Sequence, residues 1–294
     1  MRGRLLTDLG RFTEARGSLR EALALQERLL GPDHPDLVAT LNHLGMATRR
    51  AGDTGTAVTI HTRALALARE AFGTDALETG YTLNHLGNVY AVRGEWPRAL
   101  VAFEETLQLG QKALGAEHHE VGMAHSNLCW GLRWLRRFDE AKLECAQARA
   151  IVEAKLGDAH LYTAEVRHQV GVLLRVLGHP AEGLELERQV LAITEPIVGA
   201  SSTHLADALA GAGLCELALG HREVARTALE RALPLSTAST PAERGELLLG
   251  LARTLPASDS RRCSLAREGV RALGEGGALE PEWRDAAPLL AACP

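Results

Sequence analysis

Histidines next to an acid are the first residues in this chain that could do chemistry. His118, His119 and Glu120 lie close together, and His125 follows. A zinc-protease helix needs two histidines four residues apart, so that both lie on one helical face with a glutamate between them. His125 misses that spacing, and the doublet falls in a predicted loop. We therefore interpret these histidines as solvated and predict no metal site.

Other catalytic signatures also fail on spacing. Gly211-Ala212-Gly213 begins like a dinucleotide-binding loop, but Glu216 holds the position of the third glycine and no predicted strand precedes it. Phosphate-binding, Gly-x-Ser-x-Gly and kinase loops are absent from the sequence. The adjacent carboxylates Glu104 and Glu105 fall on a solvated helix face. Catalysis requires a preorganised cavity that excludes water, so we predict no enzymatic activity and no cofactor.

Tryptophan and arginine instead indicate binding. Trp130 and Trp134 lie one helical turn apart and are followed or separated by arginines, namely Arg133, Arg136 and Arg137. These two residue types are enriched at interaction hot spots. Each indole has two interpretations: it faces a groove, or it packs against a neighbouring helix. An exposed cluster would suit a ligand segment that carries hydrophobic and acidic residues.

A constant step of 42 residues organises the elements that hold these side chains. It separates Gly31, Gly73, Gly115, Gly157 and Gly199, and it recurs in Ala15, Ala57, Ala99, Ala141 and Ala225. A fixed period indicates one supersecondary unit copied in tandem. Such units contact their neighbours and build an extended, curved binding surface.

The unit itself is predicted to be a helical hairpin. In the copy from Tyr81 to Gly115, a first amphipathic stripe ends at Gly94, and Trp96-Pro97 starts a second helix with proline in its first turn. The apolar positions of the first stripe are Leu83, Leu86, Gly87 and Tyr90. Those of the second are Ala99, Leu100, Phe103, Leu107 and Leu114. The sequence therefore predicts an all-α array of antiparallel helix pairs.

This pattern resembles the tetratricopeptide repeat (TPR), whose Leu-x2-Leu-Gly-x2-Tyr and Ala-x3-Phe motif matches Leu83, Leu86, Gly87, Tyr90, Ala99 and Phe103. The loop from Gly31 to Asp36, followed by Ala39-Thr40-Leu41-Asn42-His43-Leu44-Gly45, is similar to the 42-residue repeats of kinesin light chains. The resemblance covers about residues 1–236. It implies a right-handed superhelical solenoid that binds other proteins with its first helices on the concave side.

The array is expected to comprise a partial repeat at 1–31 and about five full repeats, the last degenerate, up to residue 236. Residues 237–294 are predicted to form capping helices (Pro241 to Leu255, then Ser260 to Leu273) and a tail in which Pro281 to Ala292 is either a last short helix or a frayed end. This ending loosely resembles the C-terminal repeat regions of bacterial Ser/Thr kinases. Since Gly3 is in register with Gly45, Met1 falls inside a repeat. We therefore expect a fragment of a longer protein, with self-association through the incomplete first repeat.

The groove residues follow from the resemblance and the helical register. Asn42 and Asn84 match the asparagine that contacts cargo peptide in kinesin-light-chain-type repeats, whereas Ser126 and His168 depart from it. An amide offers a donor and an acceptor to an extended backbone. The predicted partner-binding residues are Asn42, Met46, Arg49, Tyr81, Asn84, Asn88, Ser126, Trp130, Arg133, His168 and Arg175.

Composition limits the partners and the compartment. A net charge of −5 does not favour nucleic-acid or membrane binding, and no apolar run approaches the length of a membrane helix. The five cysteines form no CxxC pair. Cys129 and Cys215 fall in predicted buried helices, so we interpret them as unpaired core residues of a cytoplasmic protein.

Three functions remain open from the sequence. The leading hypothesis is a non-catalytic module that binds a peptide segment or helix of a partner protein along the groove. The second is the regulatory or substrate-docking region of a bacterial signalling enzyme such as a Ser/Thr kinase. The third is a sensor of a small molecule or peptide, built from the same repeats in a more closed superhelix.

Overall fold

Regular structure in this chain is helical throughout the described residues. The computed structural model describes residues 2–8, 10–200, 202, 205–277 and 286–293, and no strand occurs among them. The helices are α1 (Arg2–Asp8), α2 (Phe12–Leu30), α3 (Leu37–Arg50), α4 (Thr54–Phe72), α5 (Leu77–Val92), α6 (Trp96–Leu114), α7 (His119–Trp134), α8 (Phe138–Leu156), α9 (Leu161–Val176), α10 (Pro180–Val198), α11 (Ala206–Ala218), α12 (Arg222–Ala232), α13 (Pro241–Thr254), α14 (Arg261–Glu275) and α15 (Ala287–Ala291). A 3-10 segment, Leu233–Ala238, follows α12.

Odd-numbered helices up to α13 are the first helices of successive hairpins, and even-numbered ones are the second. The second helices α2, α4, α6, α8 and α10 each have 19 residues. That length accounts for the long period. The predicted start of the last helix at Pro281 lies outside the described residues. In the part of the chain that is described, no helix is both long and apolar enough to cross a bilayer.

The chain divides into two compact units. The first unit contains the residues up to Arg93 together with Pro97–Glu117. The second unit contains Gly94–Trp96 and the residues from His118 onward. Each unit has its own buried apolar clusters, for example Leu37, Leu41 and Leu67 in the first and Leu205, Leu247 and Leu251 in the second.

The turn between the two helices of a hairpin requires a left-handed residue. Glycine fills this position at Gly10, Gly52, Gly94, Gly178 and Gly220, with φ between 72° and 90°. Arg136 occupies the same register position with φ 58°. A left-handed conformation costs an L-residue about 1–2 kcal/mol. The third full hairpin therefore carries backbone strain that the others avoid.

A second glycine series marks where the two helices of a hairpin cross. A Cβ atom at Gly87 would lie 2.5 Å from Phe103 Cε1, and one at Gly213 would lie 2.7 Å from Leu229 Cγ. The two partners are sixteen residues apart in each case. Glycine costs about 1 kcal/mol in a helix interior, and this close packing offsets that cost.

Cys129 replaces the crossing glycine in the third full hairpin, and the residue sixteen positions later is Cys145. The two form a disulfide with a Cα–Cα distance of 5.2 Å. A second disulfide joins Cys263 of α14 to Cys293 after α15, with a Cα–Cα distance of 5.6 Å.

The prediction of unpaired cysteines is therefore wrong for Cys129, because the helix crossing brings Cys145 within bonding reach. Cys215 is buried and free. Disulfides persist in oxidising compartments and are rare in the cytosol. The cysteines consequently no longer support the cytoplasmic location that we inferred from them.

Candidate binding surfaces

In the second unit, helix α13 contacts three of the predicted groove residues. Trp130 Nε1 donates to Glu243 Oε1 at 3.1 Å. Arg175 Nη2 donates to Glu246 Oε2 at 2.9 Å, and Arg133 Nη1 lies 3.9 Å from Glu246 Oε1. Two glutamates of the protein's own helix α13 thus meet the tryptophan and arginine side chains that the sequence places on the inner face of α7 and α9.

Local sequence explains where α13 begins. Thr240 is the N-cap, and its hydroxyl accepts a hydrogen bond from the backbone N–H of Glu243. The Glu243 carboxylate reaches back to the backbone N–H of Thr240 at 3.0 Å, which completes a capping box. Pro241 stands at the first helical position, where its missing N–H costs little. Glu243 therefore both starts the helix and accepts the Trp130 hydrogen bond.

Helix α13 is an integral part of the second unit. Leu247, Leu248 and Leu251 are each 1% exposed. Burying one such side chain stabilises the fold by roughly 1.5–3 kcal/mol, so removing the helix would lose the stabilisation that these buried leucines contribute. The groove positions that face α13 are consequently filled by the folded chain itself.

Three indole rings form a cluster in the second unit, where Trp96 packs against two tryptophans of α7. Trp96 packs edge-on against Trp130 at 5.2 Å and stacks on Trp134 at 5.6 Å between ring centroids. Trp96 Nε1 also donates to the backbone oxygen of Gly276 at 2.9 Å. Trp96 and Trp134 are each 1% exposed, whereas Trp130 is half-buried. Trp134 therefore lies in the core of the unit.

His168 forms a buried ion pair with Glu187, whose side chain is fully buried. The Nδ1 atom of His168 lies 3.0 Å from Glu187 Oε2. Burial lowers the pKa of His168, but the charge and hydrogen bond of Glu187 outweigh this and raise the pKa to about 9. Burial raises the pKa of Glu187. Ser126 is also buried, at 3% exposure.

In the first unit, Asn42 is buried and both ends of its amide are engaged by the protein. Its Nδ2 donates to Thr82 Oγ1 at 2.9 Å, and its Oδ1 lies 3.2 Å from His61 Nδ1. The side chain therefore links α3 to α4 and α5. A peptide could reach this amide only by displacing those two bonds.

The remaining groove residues of the first unit lie on α3 and α5 and are accessible. Tyr81 is 41% exposed. Met46, Arg49, Asn84 and Asn88 are half-buried, and Asn88 Nδ2 donates to the backbone oxygen of Asn84 at 3.0 Å. We call these five residues the α3–α5 face.

Arg49 gives the α3–α5 face a basic character. Burial, with the nearby charge of Arg50, lowers the pKa of Arg49 to about 9. Burial and Arg49 also lower the pKa of His85 to about 4, and His85 stacks on His61 at 5.4 Å between centroids. Among the described residues, no carboxylate forms an ion pair with Arg49. The guanidinium therefore lacks the counter-charge that partial burial would favour.

Comparison with known proteins agrees with this architecture. The sequence pattern of the tetratricopeptide repeat matches residues 1–70, and a second pattern of the same repeat matches residues 79–120. Residues 1–70 and 79–120 thus carry tetratricopeptide repeats, and the fold is a helical solenoid. No match is found among curated proteins.

Solved structures show the same fold. BtubC (BKLC) from P. vanneervenii has a TM-score of 0.59 and 20% identity, covering 77% of this chain and 91% of that one. The repeats of a putative kinesin light chain from Podospora anserina have a TM-score of 0.52 and 20% identity, covering 69% of this chain and 96% of that one. The apo form of RapI has a TM-score of 0.66 and 14% identity, covering 99% of this chain and 96% of that one. At sequence identities this low, the similarity shows a shared fold and nothing about function.

Sequence reasoning missed the partners of the second-unit groove residues. Glu243 and Glu246 are three residues apart on α13 and so share one helical face, which matches the arginine row at Arg133 and Arg175. The spacing of the two glutamates was the signal in the sequence from which this pairing could have been predicted. The disulfide partner of Cys129 was visible in the same way, as the residue sixteen positions on. Within the described residues, no group of histidines, cysteines and acids is arranged to hold a metal ion.

Proposed function

We propose that this chain is a non-catalytic protein-interaction module whose α3–α5 face binds an acidic segment of a partner protein. The observation that supports the proposal most directly is that three arginines share one position of the repeat but differ in whether a carboxylate lies near them. Arg49, Arg133 and Arg175 occupy equivalent positions in their hairpins, since they are separated by multiples of 42.

The second unit provides a template for what such an arginine binds. Arg133 and Arg175 both approach the Glu246 carboxylate, whereas Arg49 has no carboxylate partner among the described residues. A glutamate or aspartate from a partner would supply it. Ion pairs between guanidinium and carboxylate are charge-assisted and directional, so Arg49 would fix the position of the partner segment.

Neighbouring side chains supply the other contacts of the proposed site. Tyr81 offers an exposed aromatic ring with a hydroxyl group, the kind of amphipathic contact that is enriched at interfaces. Met46 adds an adaptable apolar surface, and Asn84 and Asn88 add amide groups. The expected ligand is an acidic segment with at least one apolar side chain.

The test uses three labelled 15-residue peptides of one amphipathic sequence that carry Glu, Gln or Lys at the same four positions. We expect the Glu peptide to bind most tightly in fluorescence polarisation. Arg49→Gln should weaken its binding about tenfold, since a hydrogen bond to a charged group contributes about 1.5–3 kcal/mol.

Arg28→Gln is the matched control, because it removes the same charge from an exposed position on the second helix α2. Its affinity should equal that of the unmodified chain. Equal binding of the three peptides, or an Arg49→Gln variant that binds as well as the parent, would refute the proposed site.

A further inference from the structure

Beside α13, the second unit has a pocket, partly open to solvent, that is lined by several guanidinium groups. Its volume is about 280 Å³, and four arginines line it: Arg133, Arg136, Arg175 and Arg253. Glu246 is the one carboxylate among the described residues in its lining. Four positive groups and one negative group give the wall a formal charge of +3.

From this cavity we infer a binding site for a small ligand that carries a phosphate or pyrophosphate group. The planar fork of a guanidinium matches the oxygens of a phosphate with two parallel hydrogen bonds. Like charges held together in a partly buried wall repel one another. A multiply charged anion removes that repulsion, and a neutral ligand of the same size does not.

Unsatisfied donors in the lining residues support the same class of ligand. Trp134 Nε1 and Arg175 Nε are buried and have no hydrogen-bond acceptor among the described residues. A buried donor left without an acceptor costs about 1–3 kcal/mol, so sites of this kind favour oxygen-rich ligands. A ligand that offered acceptors to either group would remove that cost.

The size of the cavity also separates this site from the α3–α5 face. Pockets for drug-sized ligands have volumes of about 300–1,000 Å³, so a pocket of about 280 Å³ is of a size that a small molecule fills. Helix α13 already fills the adjacent groove through Leu247 and its neighbours. The site therefore concerns a different ligand and a different unit from the proposed partner contact.

Arg136 adds an observation of another kind. It is exposed, stands at a turn position that the equivalent hairpins fill with glycine, and adopts φ 58° there. Its guanidinium lies 5.0 Å from the Phe138 ring centroid. Backbone strain of this kind persists at functional sites where the side chain is needed. A role in the ligand site explains why an arginine occupies the position despite the strain.

Isothermal titration with pyrophosphate, at an ionic strength matched with sodium chloride, tests the site. We expect one pyrophosphate per chain and a rise in Tm that chloride does not reproduce. Inorganic phosphate should bind more weakly than pyrophosphate, and citrate more weakly still. No binding beyond the chloride control would overturn the site, and citrate binding as tight as pyrophosphate would overturn its assignment to phosphate.

Variants separate binding from folding. Arg253→Gln should weaken pyrophosphate binding at least tenfold, while Arg222→Gln, an exposed position on α12 outside the cavity, should leave it within twofold. Glu246→Gln should tighten binding, because it removes the negative charge of the wall, even though it breaks the Arg175 ion pair and lowers the Tm without ligand. Weaker binding in Glu246→Gln, or unchanged binding in Arg253→Gln, contradicts the inference.

Arg136→Gly gives the sharpest readout, because strain and binding should respond in opposite directions. The Tm without ligand should rise, since glycine adopts the left-handed turn freely, and the affinity for pyrophosphate should fall at least fivefold. A variant that gains stability and keeps its affinity would show that Arg136 has no part in the site.

Discussion

At the scale of residues, the His168–Glu187 pair decides how the second unit responds to pH. Glu187 is fully buried beside the Gly171–Gly211 approach of α9 and α11, and a Cβ at Gly171 would lie 3.2 Å from its Oε1 atom. The folded pKa of His168, about 9, lies above its ordinary value of 6.5. The folded state therefore holds the histidine proton more tightly than the unfolded state does.

The sign of the pH dependence follows from that difference. The contribution of His168 to stability is complete below pH 6.5 and is lost as the pH rises through 9. Between pH 7 and pH 9.5, we expect the free energy of unfolding to fall by on the order of 2 kcal/mol, as measured with urea. His168→Gln should flatten this decline.

His179→Gln is the control for that experiment, since His179 is an exposed histidine at the start of α10 whose side chain is 58% accessible. This variant should keep the slope of the parent. The same slope in His168→Gln would show that the buried pair does not control stability in this range.

Individual residues also show how far sequence reasoning reaches. The 42-residue register alone puts Arg49, Arg133 and Arg175 at equivalent positions, because the period fixes which face of each first helix they share. It could not identify Glu246 as their partner. Contacts between α13 and α7 join residues more than a hundred positions apart, as in Trp130 and Glu243, and no repeat period encodes a contact of that range.

At the scale of elements, the crossing of the two helices in a hairpin is the unit of stability. Most hairpins pair a glycine with a larger residue sixteen positions on, and one pairs Cys129 with Cys145. The hairpin was predictable from periodicity because glycine and alanine recur where helices approach. The Cys129–Cys145 bond does not follow from the 42-residue period, because both side chains depart from the repeat; its signal in the sequence was the spacing of sixteen residues alone.

Reduction should destabilise the α7–α8 hairpin. A closed loop of about 15 residues contributes roughly 3 kcal/mol in the chain-entropy description, so the Cys129→Ala/Cys145→Ala double variant should lower the free energy of unfolding by about that amount. A reductant should lower it further, because it also breaks the Cys263–Cys293 bond. The variant Cys129→Gly/Cys145→Leu, which restores the Gly213–Leu229 pair of a later hairpin, should recover part of the loss.

Thiol counting provides an independent measurement. Alkylation of the denatured, unreduced protein should label Cys215 alone, the one free cysteine in the structure. Labelling of Cys129 or Cys145 under these conditions, or a Tm that does not respond to reductant, would contradict the disulfide.

At the scale of the whole molecule, the first residues of the second unit contact the turn that follows its helix α14. Gly94 contacts the turn after α14: a Cβ at Gly94 would lie 2.5 Å from the carbonyl carbon of Gly276. Trp96 hydrogen-bonds the same residue. An open array was the expectation from the repeats, and this contact in the second unit lies beyond what nearest-neighbour repeat rules describe.

Alanine scanning of the turn glycines measures this contact. Gly94→Ala and Gly178→Ala impose the same left-handed penalty, about 1–2 kcal/mol, but space is free around Gly178 and not around Gly94. We therefore expect Gly94→Ala to lower the free energy of unfolding by about 1–3 kcal/mol more than Gly178→Ala does. Equal losses would show that the Gly94–Gly276 contact contributes nothing.

The contacts that α13 makes with α7 and α9 also limit how such a chain can evolve. Tandem genes lengthen by duplicating a copy, and in an array that touches only adjacent copies each addition is tolerated. A duplication between α9 and α13 would carry Glu246 away from Arg133 and Arg175 and separate Gly276 from Trp96. We therefore expect homologues to keep the copy number of that stretch and to vary in length upstream of Gly94.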